Sequence, residues 1–265
     1  LAQLGLAGLL GIALLWAQYG FHFHAGADGS DRFNQAMPEK VAGLQIEGLR
    51  DALAFMDRAR VLPRSYLWGL AANGGQKFYL LDNEHSLWQS THREIKQTGA
   101  TMDEIRQKMI DYGGMVKSVD PGAVVFGPEE WGWSGYFYSG YDQQYSAANN
   151  WCCFPDRAAH GNADYMPWLL DQLRAHELQT GKRVIDVFSL HYYPQGGEFG
   201  NDTSTTMQQL RNRSTRALWD PNYTDPTWIN DKVMLIPRMK GWVNSYYPGL
   251  KLAITEYNWG AEGHI

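Results

Sequence analysis

From about residue 70 onward the chain alternates two hydrophobic patterns. Short unbroken apolar runs are followed by segments whose apolar residues recur every three or four positions. The runs are KFYLLD at 77–82, AVVF at 123–126, VIDVFSL at 184–190 and LAIT at 252–255. Runs apolar on both faces suit strands buried between two layers, so all four are predicted as parallel strands. Between the first two, Thr101-Met102-Asp103-Glu104 reads as a capping box. It opens a helix with apolar residues at Met102, Ile105, Met109, Tyr112, Val116 and Val119, a 3.6-residue stripe. Asp120-Pro121-Gly122 stops it. A second helix is predicted over 167–179, closed by Gly181. A third helical region starts at Asp225-Pro226, is interrupted at Pro237 and ends at Pro248-Gly249. The polar, irregular stretch 194–225 is far longer than an ordinary connection and is therefore suspected of function.

Alternating strands and helices give a parallel sheet. The strand starts (77, 123, 185 and 252) lie 46, 62 and 67 residues apart, roomy for α/β barrel units with long loops at the top. A (β/α)8 TIM-like barrel needs eight strands, and four are readable. The expected architecture is thus an incomplete barrel over residues 64–265, with early strands and the last strand missing or unrecognisable. Residues 1–63 form an unassigned segment. Residues 1–17 are strongly apolar but carry Gln3 and three glycines, lack a basic start, and are marginal in length for a membrane span. Signal-peptide remnant, buried helix and translation artefact all fit them. Residues 44–60 read as one amphipathic helix, with Leu49, Leu53 and Met56 on its apolar face. His22 and His24 have strand spacing but no third metal ligand nearby.

Composition narrows the function. A formal charge of −5 with no basic stripe argues against a nucleic-acid surface. Aromatic residues make up 14% of the 265-residue chain, and eight of the eleven Trp lie from Trp131 onward. Flat rings suit the flat faces of sugars, and they suit an aromatic core equally. Cys152 and Cys153 are adjacent, and two free thiols are expected. A Gly-rich phosphate loop, a G-x-S-x-G elbow and HEXXH zinc spacing are all absent from the sequence.

The chemistry concentrates at strand ends, where catalytic groups of α/β barrels sit. The first strand runs into Asp82-Asn83-Glu84, and the last into Glu256-Tyr257-Asn258-Trp259. Two glutamates at two strand ends, 256 − 84 = 172 residues apart, are the minimum equipment of a glycosidase: one acid to protonate the leaving oxygen and one carboxylate at the anomeric carbon. Glu84, among apolar and aromatic neighbours, is assigned acid/base. Asn83 is placed to hold the sugar 2-hydroxyl, and Glu256 is the nucleophile. The plainer alternative puts both glutamates in structural ion pairs. Glu129 and Glu130 are rival carboxylates; either could line the cleft and tune the pair by like-charge repulsion, and Glu130 could be a catalytic partner. Trp131, Trp133, Tyr136, Tyr138 and Tyr141 read as a stacking platform for glucose rings or as a packed aromatic lid; the platform is favoured. His191 is assigned to a sugar hydroxyl, with a structural histidine as the alternative, and Tyr193 to the nucleophile. Trp259 completes the substrate-binding set.

YLLDNEHSLWQSTHREI, MIDYGGMVKSVDPGAVVFGPEEWGWSGYFYSGYDQQY, DVFSLHYYPQGGEFGND and ITEYNWGAEGHI resemble glycoside hydrolase family 44, bacterial endo-β-1,4-glucanases often active on xyloglucan. The resemblance covers residues 70–265 and does not extend to the first 63. It implies a (β/α)8 barrel with a β-sandwich beside it and a retaining mechanism. The Asn-Glu motif falls on Asn83-Glu84 and the T-E-Y-N-W motif on Glu256, in agreement with the assignment above, and it weighs against Glu130 as a catalytic partner. The expected protein is a secreted, extracellular monomer acting on a polysaccharide, with neither nucleic acid nor membrane as partner. Its chemistry requires no cofactor, and a structural metal ion such as calcium has no signature in these residues. A non-catalytic glucan-binding protein, or an inactive fragment of the enzyme, is the alternative function.

Overall fold

The four predicted strands form one parallel sheet: β1 (Phe78–Leu80), β2 (Val124–Glu130), β3 (Val187–Tyr192) and β4 (Lys251–Tyr257). Their spatial order is β1-β2-β3-β4. Each connection therefore steps to the adjacent strand in the same direction, the winding of a barrel rather than of a doubly wound sheet whose order reverses. This is a computed structural model; it describes residues 11–260 except 18, 27, 32, 34, 45, 46 and 74–76. The described residues fall into two units divided between Lys77 and Phe78.

In the larger unit the helices cover one face of the sheet and build the main core. Thr101 caps the helix Met102–Val119 by accepting from the Glu104 amide at 3.2 Å, one half of the expected capping box, while the Glu104 carboxylate pairs with Lys96 at 2.6 Å. Met102, Ile105 and Met109 are buried, but Tyr112 and Val119 are exposed. The buried path continues through Gly113 instead of Tyr112, because a Cβ at 113 would come within 2.5 Å of the Val184 carbonyl oxygen. The helix Tyr165–Thr180 buries Tyr165, Met166, Leu169, Leu170 and Leu173 and stops at Gly181, whose φ of 70° is left-handed. The helix Leu235–Tyr246 starts ten residues later than expected. Pro237 does not interrupt it: the residue lies in the first turn, where an amide hydrogen has no partner within the helix. The stretch 194–225 holds a helix, Thr205–Ser214, capped by Ser204; it carries no apolar stripe, so periodicity does not reveal it.

Two regularities break at the site end of the sheet. In β2, Pro128 pairs with Ser189 and Glu130 with Leu190, leaving Glu129 as an extra residue. In β4, Ile254 pairs with Leu190 and Glu256 with His191, leaving Thr255 extra. Such β-bulges re-aim side chains and gather next to active sites. β1 ends at Leu80, two residues before the expected end, because the chain turns: Asp82 and Glu84 have φ of 77° and 50°.

The aromatic stretch after β2 folds as a 3-10 turn, Trp133–Tyr136, and two short helices, Gly140–Ala148 and Pro155–Ala159. Cys152 and Cys153 lie in the turn between those helices and are joined as a vicinal disulfide rather than free thiols. Asn150 and Trp151, both left-handed with φ of 53° and 57°, reverse the chain there.

The smaller unit contains the helices Met37–Ala42, Glu47–Arg58 and Arg64–Asn73. They pack Met37, Val41, Leu44, Leu53, Leu67 and Ala71 together. Of the helix expected over 44–60, Glu47–Arg58 is helical, and residues 45 and 46 lie outside the described residues. Arg64 ties the unit by pairing with Asp57 at 2.7 Å and Asp31 at 2.5 Å. Residues 11–17 are helical, and residues 1–10 of the apolar stretch lie outside the described residues. Among the described residues no helix is long and apolar enough to cross a membrane.

Leu173 is fully buried and Leu178, on the same helix, is 75% exposed. Leu173→Ala is expected to cost about 2–5 kcal/mol of unfolding free energy, the range for a core leucine truncation. Leu178→Ala is expected to stay within about 0.5 kcal/mol. Urea denaturation of both variants checks this placement of the core.

Candidate active site

At the C-terminal ends of the strands, acidic and imidazole groups converge on one ring. His191, the fifth residue of β3, is 2% exposed. Its Nδ1 lies 3.0 Å from Glu84 Oε1 and 3.7 Å from Glu256 Oε2, and its Nε2 lies 3.2 Å from Glu129 Oε2. One carboxylate comes from beyond β1, one from β2 and one from β4. Facing oxygens of Glu84 and Glu256 are within 4.8 Å of each other. Three inter-strand steps of about 4.8 Å would separate β1 and β4 by about 14 Å in a flat sheet. The approach of the two glutamates therefore requires the sheet to curl around His191.

Each acid is held by its own local structure. Glu84 sits in a left-handed turn, and its amide donates to the carbonyl of Glu129 at 2.9 Å. Its side chain is 20% exposed. Glu129 is also left-handed, with φ of 58°, so two non-glycine residues of the site occupy a conformation costing on the order of 1–3 kcal/mol each. Glu129 is fully buried and accepts from the hydroxyls of Ser189 and Thr255 as well as from His191. Glu256 is 43% exposed and accepts from the Tyr193 hydroxyl. Burial and the Glu256 carboxylate push the Tyr193 phenol up from its ordinary pKa, so it remains a donor at neutral pH.

Burial opposes a charge on His191, but hydrogen bonds to Glu129 and Glu84 and the nearby Glu256 outweigh it and hold the ring's pKa at about 9. Glu84, His191 and Glu256 could also be read as metal ligands. Zinc bonds of about 2.0–2.1 Å in a tetrahedron place ligand atoms about 3.3 Å apart, closer than this trio's widest separation. Both ring nitrogens face carboxylate oxygens, an arrangement that suits an imidazolium.

Glu130 belongs to a different cluster. It is fully buried, accepts from the Ser86 hydroxyl at 2.5 Å and the Trp131 amide at 2.9 Å, and lies 2.8 Å from His85 Nε2. The 3-10 turn seats directly on it: a Cβ at Gly135 would stand 2.2 Å from Glu130 Oε1. Of the two rival carboxylates, Glu129 is the one beside the glutamate pair. The bulge decides between them, and it is invisible in the sequence.

Trp131, Trp133 and Tyr138 line one cleft of about 480 Å³, together with Phe137, Trp151, Phe154 and Trp228. Phe154 stacks on Tyr138 with centroids 3.9 Å apart, and the indole N–H of Trp131 is buried without a hydrogen-bond partner. Trp151 and Phe154, from the turn that holds the two cysteines, and Trp228, from a loop far along the chain, carry no periodic signal; the aromatics flanking the two cysteines were the available one. Tyr136 does not join this cleft. It is fully buried and its hydroxyl donates to the carbonyl of His191, supporting β3 from behind. Asn83 is exposed, and its carbonyl accepts from Trp88. Trp259 is half-buried and donates to Ser214 at 3.0 Å.

The His191 cluster makes stability depend on pH with a definite sign. The folded ring, with a pKa of about 9, binds its proton more tightly than the unfolded ring at about 6.5. Its contribution is complete below about pH 6.5 and is lost as pH rises through about 9, on the order of 3 kcal/mol in all. Urea titrations between pH 6 and 10 are expected to show this fall, and His191→Gln is expected to abolish most of it.

Residues 59–196 match the model of glycoside hydrolase family 44. The chain is 34% identical over 261 residues to beta-mannanase/endoglucanase A of Caldicellulosiruptor saccharolyticus, with 89% of this chain and 19% of that protein covered. It is 34% identical over 228 residues to endoglucanase A of Paenibacillus lautus, covering 82% of this chain and 31% of the relative. Among solved structures it resembles CelM2, a bifunctional glucanase-xylanase from a metagenome library, at 67% identity and a TM-score of 0.71; 74% of this chain and 38% of that one are covered. The chain thus spans less than a third of either curated relative. Its strands are part of an α/β barrel, and on the match over residues 59–196 the chain belongs to glycoside hydrolase family 44.

Proposed function

We propose that this chain carries the catalytic face of a retaining endo-β-1,4-glucanase, with Glu84 as acid/base and Glu256 as nucleophile. One observation carries the reading: the two glutamates, from opposite ends of the four-stranded sheet, bring oxygens within 4.8 Å of each other. Retaining glycosidases hold their carboxyl groups about 5–5.5 Å apart, whereas inverting ones leave about 6.5–9.5 Å for a water. Glu256 accepts from Tyr193 and stands 3.7 Å from the His191 ring, donors suited to a carboxylate that must attack as an anion. In the first step Glu256 bonds to the anomeric carbon while Glu84 gives its proton to the departing glycosidic oxygen. In the second, Glu84 takes a proton from water, whose oxygen displaces Glu256.

The aromatic cleft supports a glucan substrate. Its indole and phenol faces suit stacking on sugar rings, and the unpartnered N–H of Trp131 offers a donor to a sugar hydroxyl. The sequential parallel order of the four strands supports a closed (β/α)8 barrel in the whole enzyme. Xyloglucan as a second substrate, and secretion, follow from the family resemblance. The mechanism calls for no cofactor.

Glu256→Gln is expected to lower hydrolysis of barley β-glucan and of an activated aryl cellobioside alike, by at least about 100-fold. Glu84→Gln is expected to lose about 100- to 10,000-fold on β-glucan but to release an activated phenol in a near-normal first step, since that leaving group needs no proton. Cellotetraose binding, measured by calorimetry, survives in both variants. The reverse pattern on the two substrates would exchange the roles. Full hydrolysis by Glu256→Gln would remove the nucleophile assignment, whereas an unaltered chain that binds cellotetraose without hydrolysing either substrate would leave a glucan-binding protein.

A further inference from the structure

Of the three acids around His191, Glu129 is the one closed off from solvent. It is fully buried, and each contact to its carboxylate comes from a potential donor: the Ser189 hydroxyl on β3, the Thr255 hydroxyl on β4 and the His191 Nε2 on β3. Both residues displaced by the sheet's bulges, Glu129 and Thr255, take part in this knot. A buried carboxylate with one mobile donor would be a liability. With three donors on two adjacent strands it becomes a rigid anchor.

What the anchor controls is the direction of the imidazole. With Nε2–H fixed on Glu129, the ring has one free nitrogen, Nδ1, and it faces Glu84 at 3.0 Å and Glu256 at 3.7 Å. We propose that Glu129 is a positioning residue of this site: it holds His191 by Nε2 so that the Nδ1 hydrogen lies between the acid/base and the nucleophile. It thereby sets the charge shared by those two carboxylates. Glu129 itself stays out of contact with substrate. An indirect partner of this kind is how histidines at metal sites are oriented, where a carboxylate on the far nitrogen fixes tautomer and aim. The groups facing the ring are Glu84 from the turn after β1, Glu129 from β2 and Glu256 from β4, with Tyr193 on its own strand reaching it through Glu256. The Tyr136 hydroxyl, from the 3-10 turn, holds the backbone carbonyl of the same residue. The ring's raised pKa agrees with this surrounding.

The inference rests on the glycosidase reading only for its catalytic consequence, and the test separates the two. In the full chain labelled with 15N-histidine, the His191 ring is expected to carry hydrogen on both nitrogens through neutral pH, with a midpoint near 9. Glu129→Gln is expected to lower that midpoint by about 1–3 units, the effect of removing an adjacent opposite charge. The alkaline limb of β-glucan hydrolysis moves down with it, with kcat falling and KM nearly constant. Thr255→Val keeps Glu129 and removes a donor competing with His191 for the same oxygen, so the midpoint is expected to rise; this variant serves where the Gln variant does not fold. A midpoint unmoved by Glu129→Gln, or lowered by Thr255→Val, overturns the inference. A midpoint that moves while the hydrolysis profile stays fixed overturns its link to catalysis. A moved midpoint in a chain without hydrolysis supports the anchoring of the ring and counts against the glycosidase reading instead.

Discussion

One imidazole among three carboxylates is the constraint on which the site depends. Glu84, Glu129 and Glu256 converge on His191, and the anions among them would repel one another strongly in a partly dry interior without a positive charge between them. The ring's positive charge makes the assembly affordable, and the carboxylates in turn keep the ring charged against the cost of burial. Each side of this arrangement lowers the cost of burying the other. It also explains why a fully buried acid such as Glu129 is tolerated in the middle of a sheet.

The fold supplies the convergence by two departures from regularity. A sheet of strict pleat would alternate Glu129 and Glu130 across its faces on a regular ladder; the bulge at Glu129 lets that residue meet Ser189, His191 and Thr255 while Glu130 serves the separate His85 and Ser86 cluster. The left-handed turn at Glu84 brings the acid from beyond β1 back over β2. Behind these polar groups, Tyr136 supports β3 and the helical layer fills the core with Leu, Met and aromatic residues. The strain at Glu84 and Glu129 sits where geometry matters for chemistry and is carried by packing elsewhere.

Much of this was legible in the residues. The four apolar runs, the Thr101 capping box and Gly181 at a helix end fixed the strand–helix order, because each is a local signal. Glu84, Glu256, His191 and Tyr193 stand out because catalytic groups of α/β barrels sit at the ends of apolar strands; the structure brings all four into one cluster. Glu129 could not be preferred to Glu130, since a bulge depends on pairing between strands distant in sequence. Tyr136 was indistinguishable from its neighbours because one turn of 3-10 helix, not alternation, decides which ring points inward. Trp151, Phe154 and Trp228 join the cleft through tertiary folding of loops that carry no period. The helix Leu235–Tyr246 shows the opposite error, in which Pro237 looks like a break but occupies the one turn where proline is harmless.

The central claim is that Glu256 forms a covalent bond to the sugar. Incubation of the chain with an activated 2-deoxy-2-fluoro-cellobioside, followed by proteolysis and mass spectrometry, tests it most directly. The slow second step of such a substrate is expected to leave a fluorocellobiosyl ester on the peptide containing Glu256, with Glu84 unmodified. A label on Glu84, Glu129 or Glu130, or an unlabelled chain after complete incubation, would contradict the account.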